Sequence, residues 1–340
     1  MRFKKRNIII IVAVLAVLVV VASVGVYSIF APAMDKGRTL TVFVDGDDDI
    51  DSVRVSIDGG MDALPARGFA MLCKLCGLSP RTGHYVVTGA DNAFSVYRKL
   101  SHGLQQPVRL VVPSVRTVGQ LSGRLSQQLM LDSATVADAL GDTAVCSRYG
   151  FTPQTVMAMF VPNTYEVYWN MSVEKLLSRM LREYDAFWNE DRCRRAAAVG
   201  LSQLEVSILA SIVDEETAVN DEKPTIAALY VNRLRRSMPL QADPTVKFAV
   251  GDFTLRRILH KHLAVESPYN TYLNVGLPPG PIRNPSVSAI DAVLVGERNT
   301  YLYMCAKEDF SGRHNFASTL SQHNANAARY RRALDRRGIR

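Results

Sequence analysis

Three consecutive carboxylates close an apolar segment in the stretch ILASIVDEETAVN, which runs from Ile208 to Asn220. Asp214, Glu215 and Glu216 are side chains of the type that donate and accept protons in catalysis, above all when burial shifts their pKa. Whether any of them is buried depends on the element that positions them, and the residues before them indicate what that element is.

The segment before the three acids has the pattern of a helix. Ser202 and Glu205 have the spacing of a capping box, which predicts that the helix begins there. Its apolar stripe consists of Leu204, Ile208 and Ile212, with Leu209 and Val213 beside them. The next step of four residues reaches Glu216, which is therefore predicted near the centre of the buried stripe. At about 100° per residue, Glu215 falls on its flank and Asp214 on the opposite, solvated face.

A carboxyl group on an apolar face has a raised pKa, because its charged form loses hydration. Such a group stays protonated near neutral pH and can act as a general acid, which is the role that the stripe predicts for Glu216. The alternative is that the helix simply ends here and that Glu216 emerges into water.

Loops rich in Pro, Gly, Asn and Tyr follow the helix, and long ordered loops are where scaffolds commonly present a site. YNTY (Tyr269 to Tyr272) supplies aromatic faces and an amide, groups that suit a sugar ring. QADPT (Gln241 to Thr245) adds amide, carboxylate and hydroxyl groups, and GLPPGPI (Gly276 to Ile282) leaves glycines where a ligand could approach closely. Each motif alone is also explained by turn chemistry. Together they predict a polar, extended groove.

The N-terminus has the pattern of a membrane anchor. MRFKKRN is basic, and the 23 residues from Ile8 to Phe30 carry no charge, enough to cross a hydrocarbon core of about 30 Å. The basic cluster predicts a cytoplasmic tail (residues 1–7), a single-pass helix (8–30) and an extracytoplasmic remainder. The alternative is a cleaved signal peptide with APA at 31–33 as its cleavage site, although this apolar run exceeds the usual length of about 7–15 residues.

The rest of the chain predicts an α+β protein. After a linker (31–37), strands and helices alternate over residues 38–112, where TLTVFVDG, SVRVSIDGG, GHYVVTG and PVRLVVP are predicted strands and DGDDDID an acidic turn. Helices are predicted from Val115 to Leu129, from Ser133 to Leu140 and from Ser172 to Trp188, in a connecting region (113–200). A mainly helical domain with long loops fills residues 201–340.

Charge and composition narrow the function class. The formal net charge of +8 suits an anionic membrane surface or an acidic polymer. No basic stripe with interleaved aromatic residues is present, so a nucleic-acid partner is not expected. A single CKLC pair without a nearby histidine does not predict a zinc site.

Several motifs, in order, resemble the MltG (YceG-like) endolytic murein transglycosylases. They are FVPNTYEVYW, LASIVDEETAV, ALYVNRL, LQADPTV, SPYNTYLNVGLPPGPI and HNFASTLSQHN, over roughly residues 150–330. The resemblance implies a lysozyme-like helical catalytic core, a LysM-like module at 38–112, and Glu216, which precedes Thr217, as the catalytic residue. It implies substrate-binding roles for Asn232, Gln241, Asp243, Thr245, Tyr269, Asn270, Tyr272, Leu277, Pro278, Pro279 and His314.

The implied reaction uses one carboxylate and no metal or cofactor. Glu216 would protonate the oxygen between MurNAc and GlcNAc in peptidoglycan, and would then take a proton from the MurNAc 6-hydroxyl as a 1,6-anhydro ring closes. The implied partners are glycan strands, the cell membrane and peptidoglycan synthases. Glu215 stands where the family commonly has Lys, and its charge is expected to raise the pKa of Glu216 further.

Two alternatives to this reaction stay open. The first is a hydrolase that uses water and Asp243 as a second carboxylate, although Asp243 before Pro244 also fits a turn or a sugar contact. The second is a wall-binding scaffold without catalytic activity. If Asn270 holds a sugar, its replacement by Ala is expected to weaken substrate binding with little change in melting temperature.

Overall fold

The computed structural model describes residues 2–46, 50–255 and 257–338, which divide into two compact units. The first unit comprises residues 1–110, 128–130 and 166–171, and the second comprises 111–127, 131–165 and 172–340. Helices predominate, and the strands form small two-stranded sheets. The α+β class predicted from the sequence is confirmed at this level.

The chain begins with one long apolar helix, α1 (Arg2–Phe30). Its part Lys5–Phe30 is, in the described ranges, the single unbroken helix that is long and apolar enough to cross a membrane. Its apolar side chains are exposed, as expected of a helix that has lipid as its solvent. The helix therefore fits a single-pass membrane protein.

The rest of the first unit surrounds a small core. Its elements are β1 (Thr39–Val44), α2 (Ile50–Asp58), α3 (Ala63–Cys76), β2 (Gly83–Thr88), α4 (Ala93–His102) and β3 (Val108–Val112). β1 and β2 are antiparallel, with Thr39 opposite Thr88 and Val44 opposite Gly83. Helix α4 ends before Gly103, which adopts the left-handed conformation (φ 68°) that glycine tolerates.

The prediction of a strand for SVRVSIDGG is wrong, because this segment forms α2. The alternation of Val53, Val55 and Ile57 resembled the period of a strand. Only Val53 and Ile57 are buried, whereas Val55 is 73% exposed, so the buried pair is four residues apart on one helical face. The middle of the predicted acidic turn, residues 47–49, lies outside the described residues.

The second unit is built mainly from helices. Its elements are α5 (Val118–Ser126), α6 (Ser133–Gly141), α7 (Thr143–Ser147), a 3₁₀ turn (Val156–Met159), β4 (Asn163–Val167), α8 (Val173–Phe187), α9 (Glu190–Val199), α10 (Gln203–Glu216), α11 (Lys223–Arg235), α12 (Asp243–Val250), α13 (His260–Leu263), α14 (Val287–Val295), β5 (Tyr303–Ala306), β6 (His314–Ala317) and α15 (Leu320–Arg336). β5 and β6 are antiparallel. The three helices predicted in the connecting region are confirmed as α5, α6 and α8.

Helix α10 lies at the centre of this unit. The predicted capping box is present, since Ser202 Oγ accepts the Glu205 backbone N–H and Glu205 Oε2 accepts that of Ser202. Every residue from Val206 to Val213 is buried, and α9, α11, α12 and α14 pack around the helix. A helix enclosed on all sides has no solvated face. Its C-terminal carboxylates are therefore placed by the surrounding elements.

Candidate active site

Glu216 is the last residue of α10, and its side chain faces the protein rather than open water. Thr217 follows in an extended conformation and ends the helix. The buried Tyr230, on α11, donates its phenolic hydrogen to Glu216 Oε1 at 2.6 Å. The alternative that this carboxyl emerges into water is therefore wrong, although the helix does end where that alternative placed its end.

Burial raises the pKa of Glu216 to about 7, because the carboxylate form loses hydration. The hydrogen bond from Tyr230 acts in the opposite direction, since it favours the charged form, while the nearby charge of Asp243 raises the pKa again. A carboxyl group that titrates near neutrality can donate a proton and take one back, as an acid–base catalyst must.

Glu216 lines a cleft of about 270 Å³ between α11, the start of α12 and the β5–β6 hairpin. The residues around it are Leu229, Tyr230, Arg233, Leu240, Gln241, Asp243, Tyr272, Met304, Cys305, Ala306 and His314. Four of the residues predicted to bind substrate are thus brought together with Glu216: Gln241, Asp243, Tyr272 and His314.

Gln241, Asp243 and Tyr272 present polar groups to the cleft from the start of α12 and from two loops. Tyr272 donates to Asp243 Oδ1 at 2.6 Å, so this carboxylate is oriented by a phenol, as Glu216 is. Gln241 is exposed and has a positive φ of 50°, which a non-glycine residue adopts only when its surroundings enforce it. Its backbone N–H donates to Thr271 O, which holds that conformation.

Two cleft residues, Tyr230 and Arg233, were missed in the sequence. Both lie on α11 within ALYVNRL, three residues apart and hence on one helical face. Arg233 is 7% exposed and donates to the carbonyl oxygens of Leu302 and Leu240, at 2.6 and 2.8 Å. The signal that could have identified Tyr230 and Arg233 is their position on one face of a predicted helix whose other residues are largely apolar.

Other predicted residues lie away from the cleft and serve the fold. Asn232, on α11, donates to Asn299 O and Tyr301 O and lines a different cavity, of about 670 Å³. Thr245 is fully buried and donates to Ala242 O at 2.7 Å.

Asn270 is fully buried inside its own loop. Its Nδ2 donates to Leu263 O and Val265 O, both at 2.9 Å, and its Oδ1 accepts the Tyr272 backbone N–H. All of its polar atoms are therefore used within the loop that carries Tyr272 to the cleft.

The GLPPGPI segment also packs against the protein. Leu277, Pro278 and Pro279 do not line the cleft. A side chain at Gly280 would collide with the Gln154 carbonyl, so this glycine serves a close approach of the chain to itself. Tyr269 lies beside Gly280 and packs on Phe248, with ring centroids 4.7 Å apart.

The prediction that Asp214 is solvated is wrong. Its side chain is 7% exposed and lies 2.8 Å from Lys223 Nζ, itself 6% exposed. Its other oxygen accepts the Ser286 backbone N–H at 2.8 Å. Burial raises the pKa of Asp214, but the bonds from Lys223 and Ser286 outweigh that effect and hold the pKa below its ordinary value. Helical periodicity placed Asp214 on a solvated face of α10. Because other elements pack around this helix, it has no such face there.

Glu215 is held between two arginines. Arg116 makes two parallel bonds to its carboxylate, both at 2.8 Å, and Arg283 Nη1 donates to Oε1 at 2.8 Å. The largest charge effects on the pKa of Glu216 come from Asp243, Lys247 and Arg233, and the expectation that Glu215 raises this pKa stays a prediction. The two guanidinium groups offset the negative charge of Glu215.

His314, at the start of β6, is held by a buried carboxylate. Glu222 Oε1 accepts the His314 backbone N–H at 3.0 Å, and Glu222 Oε2 lies 3.2 Å from Nδ1 of the ring. Glu222 immediately precedes α11, so it links the start of that helix to the hairpin that borders the cleft.

Comparisons with known proteins identify the family to which this chain is similar. A family model described as "YceG-like family" matches residues 64–329. An endolytic murein transglycosylase of Bacillus subtilis (strain 168) is 43% identical over 122 residues, which cover 36% of this chain and 33% of that protein. One of Streptococcus pneumoniae serotype 2 is 26% identical over 285 residues, 74% of this chain and 50% of the relative.

The crystal structure of a putative yceG-like protein from Listeria monocytogenes has a similar fold. It superposes with a TM-score of 0.56 at 28% identity, and the match covers 84% of this chain and 98% of that one. The chain spans a third to half the length of the two relatives named above. The activity in their names is therefore carried by proteins that are longer than this chain.

Proposed function

Because the chain belongs to the YceG-like family, we propose that it is an endolytic murein transglycosylase, a lyase that cleaves peptidoglycan strands internally. The observation that carries the proposal is Glu216, a carboxyl group with a pKa near 7 in a cleft lined by polar loops. The names of the Bacillus and Streptococcus relatives support the same reaction.

In the proposed mechanism Glu216 acts first as an acid and then as a base. It gives its proton to the glycosidic oxygen while the bond from that oxygen to C1 of MurNAc breaks. The substrate's acetamido group stabilises the developing cation. The 6-hydroxyl oxygen then bonds to C1, its proton passes to the Glu216 carboxylate, and a 1,6-anhydro end forms. The proton count closes without water, metal or cofactor.

The remaining cleft groups would position the glycan. Gln241, Asp243 and His314 offer polar atoms at the cleft, and Tyr272 offers an aromatic ring. We propose that Asn270, Thr245, Tyr269, Asn232 and the segment Leu277–Pro279 support binding through the shape of the loops. Tyr230 is proposed to keep Glu216 aimed into the cleft through its 2.6 Å hydrogen bond.

The finer architecture is part of the proposal. Residues 1–7 form a cytoplasmic tail and 8–30 cross the cell (inner) membrane, so that the remainder works outside the cytoplasm on nascent glycan, near peptidoglycan synthases. Residues 38–112 form a LysM-like module, 113–200 connect, and 201–340 form a lysozyme-like catalytic domain. External protease should digest the C-terminal domain of spheroplasts and leave a membrane-embedded stub, whereas a mature chain that begins after Ala33 would contradict the anchor.

A hydrolytic route is the second candidate, because Asp243 lines the same cleft and its charge acts on Glu216. In that route Asp243 would activate water and the products would have reducing ends. The hydrogen bond from Tyr272 restrains Asp243 in one orientation, which suits a substrate contact as well.

Digestion of purified peptidoglycan strands by the full chain in detergent, read by mass spectrometry, tests the proposal. Long fragments that carry anhydro ends support it, fragments with reducing ends favour the hydrolase, and intact strands contradict both. Glu216→Gln keeps the shape and cannot donate a proton, so its rate should fall by about 10⁴-fold or more. Asp243→Asn should lose much less if Asp243 only contacts substrate.

A further inference from the structure

Glu222 and His314 form a pair that is more buried, and joined by more contacts, than a pair of surface side chains. Glu222 is 6% exposed, accepts the backbone N–H of His314 and lies 3.2 Å from Nδ1 of the same residue. The His314 side chain is 14% exposed and borders the cleft that contains Glu216. Because Glu222 contacts Nδ1 of the His314 ring, Nε2 is available to another partner.

The chemistry of the pair determines the tautomer of the ring. An ionised carboxylate only accepts hydrogen bonds, so Nδ1 must carry the hydrogen that it donates to Glu222 Oε2. In the neutral ring Nε2 then carries no hydrogen and is an acceptor. The neutral form of His314, which borders the cleft, therefore presents Nε2 as a hydrogen-bond acceptor.

The cleft offers a limited set of acceptors. Arg233 only donates, whereas the phenols of Tyr230 and Tyr272 give their hydrogens to Glu216 and Asp243 and keep oxygen lone pairs that can accept. Besides these oxygens and Glu216, the nitrogen and oxygen acceptors among the side chains around the cleft are Gln241, Asp243 and, in the neutral ring, Nε2 of His314. A glycan presents hydroxyl and amide hydrogens, which need acceptors when they leave water. A neutral imidazole supplies one without adding negative charge beside Glu216.

We propose that Nε2 of His314 accepts a hydrogen bond from a hydroxyl or acetamido N–H of the glycan bound beside Glu216, and that Glu222 is the positioning residue that fixes this tautomer. The inference rests on the proposed function, because it takes a glycan as the occupant of the cleft. It makes His314 a substrate-contacting residue and gives the buried Glu222 a role in substrate recognition.

Two isosteric substitutions separate recognition from support of the hairpin. In His314→Asn the amide nitrogen can take the place of Nδ1 and keep the bond to Glu222, but nothing replaces Nε2. In His314→Gln the amide group reaches the place of Nε2 and the bond to Glu222 is lost. We expect His314→Asn to raise KM for glycan strands by roughly tenfold, the worth of one hydrogen bond, with kcat less affected. His314→Gln should keep a KM closer to that of the wild type.

Glu222→Gln tests the positioning role without touching the cleft. Its amide NH₂ can donate to Nδ1, which would move the ring hydrogen to Nε2 and turn the acceptor into a donor. The ¹⁵N chemical shifts of the His314 ring report which nitrogen lacks a hydrogen. We expect Nε2 to lack it in the wild type and Nδ1 to lack it in Glu222→Gln, with a KM raised as in His314→Asn. Lys307→Gln removes an exposed ion pair with Asp309 on the same hairpin and is the matched control, with KM unchanged.

The outcomes are distinct. A purely structural histidine predicts the reverse order, in which His314→Asn behaves as the wild type and His314→Gln is impaired, and that order overturns the inference. Equal impairment of both variants, or an Nδ1 without hydrogen in the wild type, also overturns it. Binding of uncleaved glycan to the Glu216→Gln variant separates a failure of this inference from a failure of the proposed function. No glycan binding there and no cleavage by the wild type would defeat the proposed function, while the ring spectrum still reads the tautomer.

Discussion

Tyr230 Oη donates to Glu216 Oε1 across 2.6 Å, from a side chain that is 2% exposed. This bond joins the end of α10 to the middle of α11 and opposes the effect of burial on the Glu216 pKa. A phenol at hydrogen-bond distance favours the carboxylate form of Glu216, so it lowers the pKa of this group from a still higher value to about 7.

Tyr230→Phe should therefore raise the pKa of Glu216 above about 7. The acid form would persist to higher pH, and the basic limb of the kcat/KM profile should move upward, while the rate falls because Glu216 is less well oriented. Tyr269→Phe, outside the cleft, is the control and should leave the limb in place. A Tyr230→Phe profile that coincides with the wild type would show that another group sets the basic limb.

The raised pKa of Glu216 also makes a prediction about stability. The folded state holds this proton up to about pH 7, whereas a Glu with the ordinary pKa of 4.5 releases it near pH 4.5. Stability contributed by the protonated form is present below pH 4.5 and is lost as pH rises through 7. Glu216→Gln never ionises, so its stability relative to the wild type should rise between pH 5 and pH 8, by roughly 1–3 kcal/mol. Thermal unfolding at the two pH values measures this, and an equal difference at both would contradict it.

Asp214→Asn should destabilise the protein, because it leaves the Lys223 ammonium buried without its counter-charge. Breaking a buried pair in this way costs roughly 3–5 kcal/mol. Denaturant unfolding measures the loss, and Asp191→Asn, at an exposed ion pair, provides a comparison with a change of well under about 1 kcal/mol. Had Asp214 been solvated, as periodicity predicted, the two variants would behave alike.

Glu215→Lys restores the residue common in the family but places a third cation beside Arg116 and Arg283. We expect a larger loss of melting temperature than in Glu215→Gln, which forfeits charged hydrogen bonds worth roughly 2 kcal/mol. Adding Arg283→Glu to Glu215→Lys should recover part of the loss, as a double-mutant cycle would show. Absence of any recovery would mean that the two side chains are not coupled.

Asn270→Ala should lower the melting temperature, contrary to the expectation from the sequence. The substitution leaves the carbonyls of Leu263 and Val265 and the Tyr272 N–H without their partner. Buried polar groups left unpaired cost roughly 1–3 kcal/mol each. Val275→Ala, at a position of the same loop that is 60% exposed, is the control with a smaller loss. Unchanged melting with weaker glycan binding would restore the substrate-contact interpretation of Asn270.

Local patterns in the sequence were sufficient for the N-terminal apolar helix and for α10. A capping box and a four-residue apolar step act within one or two turns, so Ser202 and Glu205 mark the start of the helix in any surroundings. The four-residue apolar repeat of α10 also predicted Glu216 on the buried side of the helix, where its side chain does lie. The strand assigned at Val53 to Ile57 failed because three alternating apolar residues fit either period.

The environment of the carboxylates was decided by the tertiary structure. Asp214 is buried because Ser286, 72 residues later in the chain, packs against it, and Glu215 is neutralised in part by Arg116, 99 residues earlier. Tyr230, His314 and Glu222 meet Glu216 or one another through the packing of α11 and the β5–β6 hairpin. Periodicity specifies the direction of a side chain from its own helix, but the groups that face it come from distant segments. The pKa of Glu216 and the tautomer of His314 depend on those groups, and only the folded chain brings them together.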